Sequence, residues 1–179
     1  MLCTGRLAAQ CGLSLVEFIV SIAIGAIVLT AVVSLSLYSG RSFAGLANYA
    51  ALNSESVVAL DQMTRDIRQA VALVGFSTNQ VVFNDGTNKP PLYFTYLPTQ
   101  RVLVRTQGND RKVLLRECDS LQFSIFQRTL IPGTYDQYVA ATTNNCKVVM
   151  VNWSCSRKIL GTKVNSDSAQ MAKIVIRKK

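Results

Sequence analysis

The chain has 179 residues, of which 49% are hydrophobic and only 16% are charged, and its formal net charge is +9. A soluble domain carries about 25% charged residues, so we expect part of the apolar content to lie in a membrane or a similar environment. Histidine is absent, which excludes Ser-His-Asp and Cys-His catalysis and His-containing zinc sites; we predict no enzymatic activity, no cofactor and no metal site.

The N-terminal part contains a long apolar run. Residues 1–12 form a short segment of mixed polarity with one basic residue, Arg6. From Phe18 to Leu37 no side chain is charged, and at about 1.5 Å per residue this length crosses a hydrocarbon core of roughly 30 Å. Hydroxyl groups within the run can return hydrogen bonds to the helix backbone; they belong to Ser21, Thr30, Ser34 and Ser36.

Three interpretations of this run differ in how they treat Glu17, the carboxylate at its start. A secretory signal peptide has an apolar core of about 7–15 residues followed by a cleavage site, whereas this run is longer and begins with an acid. A plain membrane anchor fits the length but leaves Glu17 without a partner, at a cost in free energy. The third interpretation gives Glu17 a role.

The residues that precede the apolar run are Gly12-Leu13-Ser14-Leu15-Val16-Glu17. This stretch resembles the class III signal of type IV prepilins and type II secretion pseudopilins. The resemblance implies that prepilin peptidase cuts between Gly12 and Leu13, removes residues 1–12 as a leader and N-methylates Leu13. It also implies three kinds of partner, namely other pilins or pseudopilins through the N-terminal helix, an inner-membrane assembly platform and a separate ATPase motor.

Glu17 is the predicted filament-assembly residue. In a bilayer its carboxylate needs a compensating cation or a proton. After cleavage the new amine of Leu13 lies four residues away, and the amine of a neighbouring subunit is also available in a helical array. We predict that pairing with an amine favours docking of one subunit on another; the alternative is a carboxylate in the headgroup region without a specific role.

The apolar run continues into a second, amphipathic stretch. With no proline before Pro90, one helix is predicted from Leu13 to Gly75, with 13–40 in membrane or filament and 41–75 packed on a domain. Asp61 and Arg65 are spaced to pair on its surface. Apolar residues three or four apart predict the packed stripe: Val57, Leu60, Met63, Ile67, Val71 and Val74.

From residue 76 to 179 the hydrophobic period changes towards two, which predicts an antiparallel, meandering sheet. We therefore predict an α+β fold in which the long N-terminal helix packs on this sheet domain. The longest predicted loops are Thr134–Asn145 and Gly161–Gln170. The predicted strands are Val81–Phe83, Leu92–Tyr96, Val102–Val104, Lys112–Arg116, Leu121–Gln127, Val148–Ser154 and Lys173–Arg177.

This layout is similar to that of J-type pseudopilins and W-type minor pilins. The similarity implies a minor pilin or pseudopilin that primes or caps a type IV pilus or a type II secretion pseudopilus. Its precursor would cross the inner membrane once, with an extracytoplasmic C-terminal domain, and would then enter a periplasmic pseudopilus or a cell-surface pilus. The similar positions, which core packing and a solvated face would also explain, are Asp61, Arg65, Asp66, Arg105, Leu121 and Phe123.

Five cysteines are present, and Cys3 and Cys11 lie in the predicted leader. Cys146 and Cys155 flank a predicted strand and would lie roughly 30 Å apart, too far for a disulfide, which needs Cα atoms within about 7 Å. In an oxidising compartment this leaves Cys118 with either Cys146 or Cys155. The alternative is three buried thiols without a bridge.

Basic residues exceed acidic ones after Pro90, which raises the question of nucleic-acid binding. They are spread along strands, apart from Arg157-Lys158 and Arg177-Lys178-Lys179, so a solvated basic surface is the preferred interpretation. The alternative function is a competence-type minor pilin whose basic domain binds DNA.

Overall fold

The computed structural model of the chain describes residues 14–86, 89–158 and 168–176. Within them the chain forms one helix, α1 (Leu15–Gln69), and nine strands. The chain divides into two compact units, Met1–Phe43 and Ala44–Lys179. The predicted α+β class is confirmed. The strands are β1 (Ala72–Ser77), β2 (Gln80–Asn84), β3 (Leu92–Leu97), β4 (Val102–Gln107), β5 (Asp110–Leu115), β6 (Cys118–Leu130), β7 (Tyr138–Ala140), β8 (Val148–Cys155) and β9 (Ser168–Val175).

The first unit contains the apolar part of α1. An 18-residue window of the helix has a mean hydropathy of 2.7, and none of that window is buried. The helix is therefore long and apolar enough to cross a membrane, and together with its N-terminal position it fits membrane anchoring. As predicted, hydroxyl groups donate to backbone carbonyls of the preceding turn: Ser21 to Glu17 at 2.7 Å, Thr30 to Ile27 at 2.8 Å and Ser34 to Thr30 at 2.8 Å.

In the second unit one face of α1 packs against the sheets. Its buried residues recur every three or four positions; they are Leu52, Ser56, Ala59, Met63 and Ile67. The predicted stripe is right at Met63 and Ile67 and wrong at Val57, which is 55% exposed. The prediction failed at this turn because the face of α1 next to the sheets is composed partly of small residues, Ser56 and Ala59. The stripe is also wrong at Val71 and Val74, which lie beyond the end of α1 and are 43 and 61% exposed.

The prediction that the helix ends at Gly75 is wrong. The helix ends at Gln69, and the backbone N–H of Val71 donates to the carbonyl of Asn84 at 2.8 Å, so the chain turns directly into strand pairing. Gly75 lies inside β1 at a register shift against β2. A Cβ atom there would lie 3.2 Å from a side-chain methyl of Val82, so this glycine serves the bulge rather than the helix end.

The strands form two antiparallel sheets instead of the single predicted meander. The first has the order β1-β2-β3-β4-β5 and is a meander, as predicted. The second has the order β7-β6-β8-β9, so β8 pairs with β6 on the edge opposite to β7. Two predicted loops also require correction. The strand β7 lies within Thr134–Asn145, and β9 begins at Ser168, inside the predicted loop Gly161–Gln170. Residues 161–167 of that loop lie outside the described residues.

The core combines α1 with residues of both sheets. Leu121 and Phe123, predicted as a core pair, are each 2% exposed, and each such burial contributes roughly 1.5–3 kcal/mol. Trp153 of β8 donates its indole N–H to the buried hydroxyl of Ser56 on α1, at 3.2 Å. This bond satisfies two buried polar groups at once and explains why a serine occupies the packed face.

Candidate functional site

The helix start is built by a reciprocal pair of hydrogen bonds between Ser14 and Glu17. The backbone N–H of Ser14 donates to Glu17 Oε2 at 2.9 Å, and the backbone N–H of Glu17 donates to Ser14 Oγ at 3.2 Å. This arrangement is a capping box, which satisfies two backbone donors that an unprotected helix start would leave free. The carboxylate also lies at the positive end of the helix dipole.

The capping box changes the description of Glu17. Its carboxylate accepts a hydrogen bond from the backbone at the start of its own helix, and its side chain is exposed in this chain. The Ser-x-x-Glu spacing before an apolar run is a sequence signature of a capping box, and the sequence interpretation missed it. The predicted cleavage and methylation residues, Gly12 and Leu13, lie outside the described residues, and so do Cys3 and Cys11.

A second polar constellation joins α1 to the first sheet. Arg105 of β4 donates its Nε to Asp66 Oδ2 at 2.6 Å, and both side chains are almost buried, at 11% and 13% exposure. The other guanidinium nitrogens donate to Asp110 Oδ2 at 2.9 Å and to Gln107 Oε1 at 2.6 Å. Of the similar positions, Asp66 and Arg105 are thus brought together.

Asp61 and Arg65 pair separately on the helix surface, as the spacing predicted. Arg65 Nη2 and Asp61 Oδ2 lie 2.9 Å apart, and both side chains are more than 60% exposed. An exposed pair of this kind contributes a few tenths of a kcal/mol. The Asp66–Arg105 pair, by contrast, links α1 to β4 through two side chains that are almost buried.

A third constellation lies where β6 begins and β8 ends. Arg101 donates to Asp119 Oδ1 at 2.5 Å and to the carbonyls of Glu117 and Ser156 at 3.1 and 2.9 Å. Arg157 donates its Nε to Glu117 Oε2 at 2.6 Å. Basic side chains here are engaged by neighbouring acids, so they contribute less positive field than their number suggests.

The structure brings Cys118 and Cys155 together and leaves Cys146 apart. Cys118 and Cys155 are direct partners in the β6–β8 ladder, and Cys146 precedes β8 and lies near the carbonyl of Val148 at 3.6 Å. Burial raises the pKa of the Cys146 thiol. Within the described ranges no three or more acidic or cysteine side chains are grouped as metal ligands would be.

A family model for the prokaryotic N-terminal methylation motif matches residues 7–33. The chain matches no curated protein and no solved structure. The matched residues include Gly12, Leu13 and Glu17, and they continue into the exposed apolar half of α1. The chain therefore carries the prepilin signal of type IV pilins and pseudopilins. This signal supports a type IV pilin-like protein, and in general it implies assembly with other pilins and processing by prepilin peptidase.

Proposed function

We propose that this protein is a minor pilin or pseudopilin, a non-catalytic subunit that primes or caps a type IV pilus or a type II secretion pseudopilus. The observation that carries the proposal is the methylation motif at residues 7–33 directly upstream of an unburied apolar helix. The precursor is a single-pass inner-membrane protein with an extracytoplasmic C-terminal domain. After cleavage it joins a periplasmic pseudopilus or a cell-surface pilus.

The exposed side chains of the apolar helix support an assembly role. Phe18, Ile27 and Leu35 are 61, 68 and 69% exposed, and side chains of this kind avoid water. A lipid bilayer covers them in the precursor, and helices of neighbouring subunits cover them in a filament. Serine and threonine on the same helix allow close helix–helix contact because their side chains are small. Their hydroxyls are already bonded to the backbone and need no other partner.

The first test concerns processing at Gly12-Leu13. We expect mass spectrometry of the membrane-extracted protein to find an N-terminus at Leu13, about 14 Da heavier than the unmodified sequence because of one methyl group. An N-terminus at Met1, or one downstream of Leu37, would contradict the proposal.

A matched variant tests whether the glycine directs this cleavage. Gly12→Val places a branched side chain next to the scissile bond, so we expect the variant to retain Met1 and the unmodified leader. Wild-type and variant protein from the same membranes should then differ only at this end of the chain. Normal processing of Gly12→Val would argue against prepilin peptidase as the enzyme.

The alternative function, DNA binding by a competence-type minor pilin, receives less support from the charge distribution. Arg105 is almost buried, and Arg101 and Arg157 donate to acids. Lys173 pairs with Asp136, whose pKa is lowered by that hydrogen bond. The basic trio Arg177-Lys178-Lys179 lies outside the described residues.

We therefore expect only weak, sequence-independent DNA binding by residues 41–179. A gel-shift titration at about 150 mM salt measures it, and affinity should fall further as salt rises because phosphate contacts release counterions. Micromolar or tighter binding, lost when the basic residues at 157–158 and 177–179 are neutralised, would favour the DNA-uptake function instead.

A further inference from the structure

Two cysteines face each other at one end of the second sheet. Cys118 is the first residue of β6, Cys155 is the last residue of β8, and the two are direct partners in the antiparallel ladder. The flanking backbone N–H of Ser156 donates to the carbonyl of Glu117 at 3.0 Å. In an antiparallel ladder this pattern identifies Cys118 and Cys155 as a non-hydrogen-bonded pair, the kind in which side chains lie closer.

The geometry of such a pair suits a disulfide. In a regular ladder the Cα atoms of such a pair lie about 4.5 Å apart, within the range of about 4.4–6.8 Å that a disulfide requires. The register of β6 against β8 shifts directly after this pair, between Cys118 and Ser120. The two side chains are 0 and 1% exposed. The Cys118 thiol donates to the carbonyl of Ser120 at 3.2 Å. Interaction with the Cys155 thiol lowers the pKa of Cys118, and interaction with the Cys118 thiol raises that of Cys155, as expected for neighbouring thiols.

We propose that Cys118 and Cys155 form a disulfide bond in the exported protein, and that Cys146 stays a free thiol. The inference rests on the proposed function in one respect, because an extracytoplasmic compartment supplies the oxidant. That oxidant is a protein of the thiol–disulfide exchange class. One cysteine thiolate attacks the oxidant's disulfide and forms a mixed disulfide; the second then displaces the oxidant, which leaves as a dithiol with two electrons and two protons.

The bond fastens the start of β6 to the end of β8 and encloses the β7 hairpin between them. Closing a loop of this length restricts the unfolded chain and stabilises the native one. It also holds the neighbouring constellation of Arg101, Glu117 and Asp119 in place. Reduction should therefore lower the melting temperature by about 5–15 °C.

Trypsin separates the three cysteines into different peptides, residues 117–128, 129–147 and 148–157. The protein is extracted from membranes, alkylated while denatured and digested without reduction. We expect peptide 117–128 linked to 148–157, with Cys146 alkylated in 129–147. In processed protein, three alkylated cysteines or a bond to Cys146 would overturn the proposal.

The same digest distinguishes this proposal from the proposed function. Its N-terminal peptide begins at Leu13 if the chain is processed and at Met1 or Leu7 if it is not, whatever the cysteines do. As a second arm, the full chain is purified in detergent, reduced, denatured and refolded with oxidised and reduced glutathione. Linkage of peptide 117–128 to 148–157 in the refolded protein would support the Cys118–Cys155 pairing, whichever compartment the chain occupies in the cell. Absence of this linkage would count against the pairing.

Three serine variants complete the test. Cys118→Ser and Cys155→Ser should each lose the linked peptides and the shift in melting temperature on reduction. Cys146→Ser is the matched control, since it also replaces a buried thiol but should keep both. Loss of the bond in Cys146→Ser together with its survival in Cys155→Ser would show that the pairing is wrong.

Discussion

Asp66→Asn should lower the free energy of unfolding by about 3 kcal/mol, because it leaves the guanidinium of Arg105 almost buried without its nearest counter-charge. Asp110 and Gln107 remain as partners, but Asp110 is 72% exposed and replaces little of the lost attraction. The chain has one tryptophan, Trp153, which is 3% exposed in the same unit. Urea unfolding followed by its fluorescence measures the change.

Two further variants show whether the buried charge is the cause. Asp61→Asn removes an acid from the same helix but from an exposed pair, and we expect a change within about 0.5 kcal/mol. Combining Asp66→Leu with Arg105→Met replaces both charges by apolar groups and should recover much of the loss. Equal effects of Asp66→Asn and Asp61→Asn would show that the pair does not hold the helix on β4.

Local patterns predicted the elements whose packing is regular. On β3, Leu92, Phe94 and Tyr96 alternate with more exposed residues, and this period of two was visible in the sequence. The strand β7 gave no such signal, since it has three residues and pairs with β6 at only two positions. A strand that short depends on its neighbour rather than on its own composition.

The helix end and the helix–sheet contacts depend on partners distant in the sequence. No residue near Val71 marks the end of α1 in the sequence. The backbone N–H of Val71 donates to the carbonyl of Asn84, which belongs to β2. Likewise Ser56 is buried because Trp153 donates to it, and a polar residue on a packed face cannot be identified without that partner. The resemblance to J-type pseudopilins and W-type minor pilins named Asp66 and Arg105 separately, but only the packing of α1 next to β4 brings them together.

The helix start is the reverse case, since all its atoms are local. The Ser14–Glu17 spacing was sufficient to predict the capping box. What the local sequence cannot supply is the partner that Glu17 meets in a filament, because that partner belongs to another subunit. Variants that keep the cap and remove the charge can separate these two roles.

Glu17→Ala should leave cleavage at Gly12-Leu13 largely intact but reduce incorporation into filaments by more than about tenfold, the effect of losing an ion pair in a medium of low dielectric constant. Its carboxylate bonds to the backbone N–H of Ser14, so the variant also loses half of the capping box. Fractionating sheared filaments from membranes measures the effect, and the variant should be retained in the membrane.

Glu17→Gln and Ser14→Ala separate the cap from the charge. Glutamine can still accept the bond from the Ser14 N–H but carries no charge, so Glu17→Gln should fail to assemble if pairing with a neighbour's amine matters. Ser14→Ala loses the cap hydroxyl, at a cost of about 1 kcal/mol, but keeps the carboxylate and should assemble. If Glu17→Gln assembles and Ser14→Ala does not, Glu17 acts only as a helix cap. Equal incorporation of all variants and the wild type would show that Glu17 has no role in assembly.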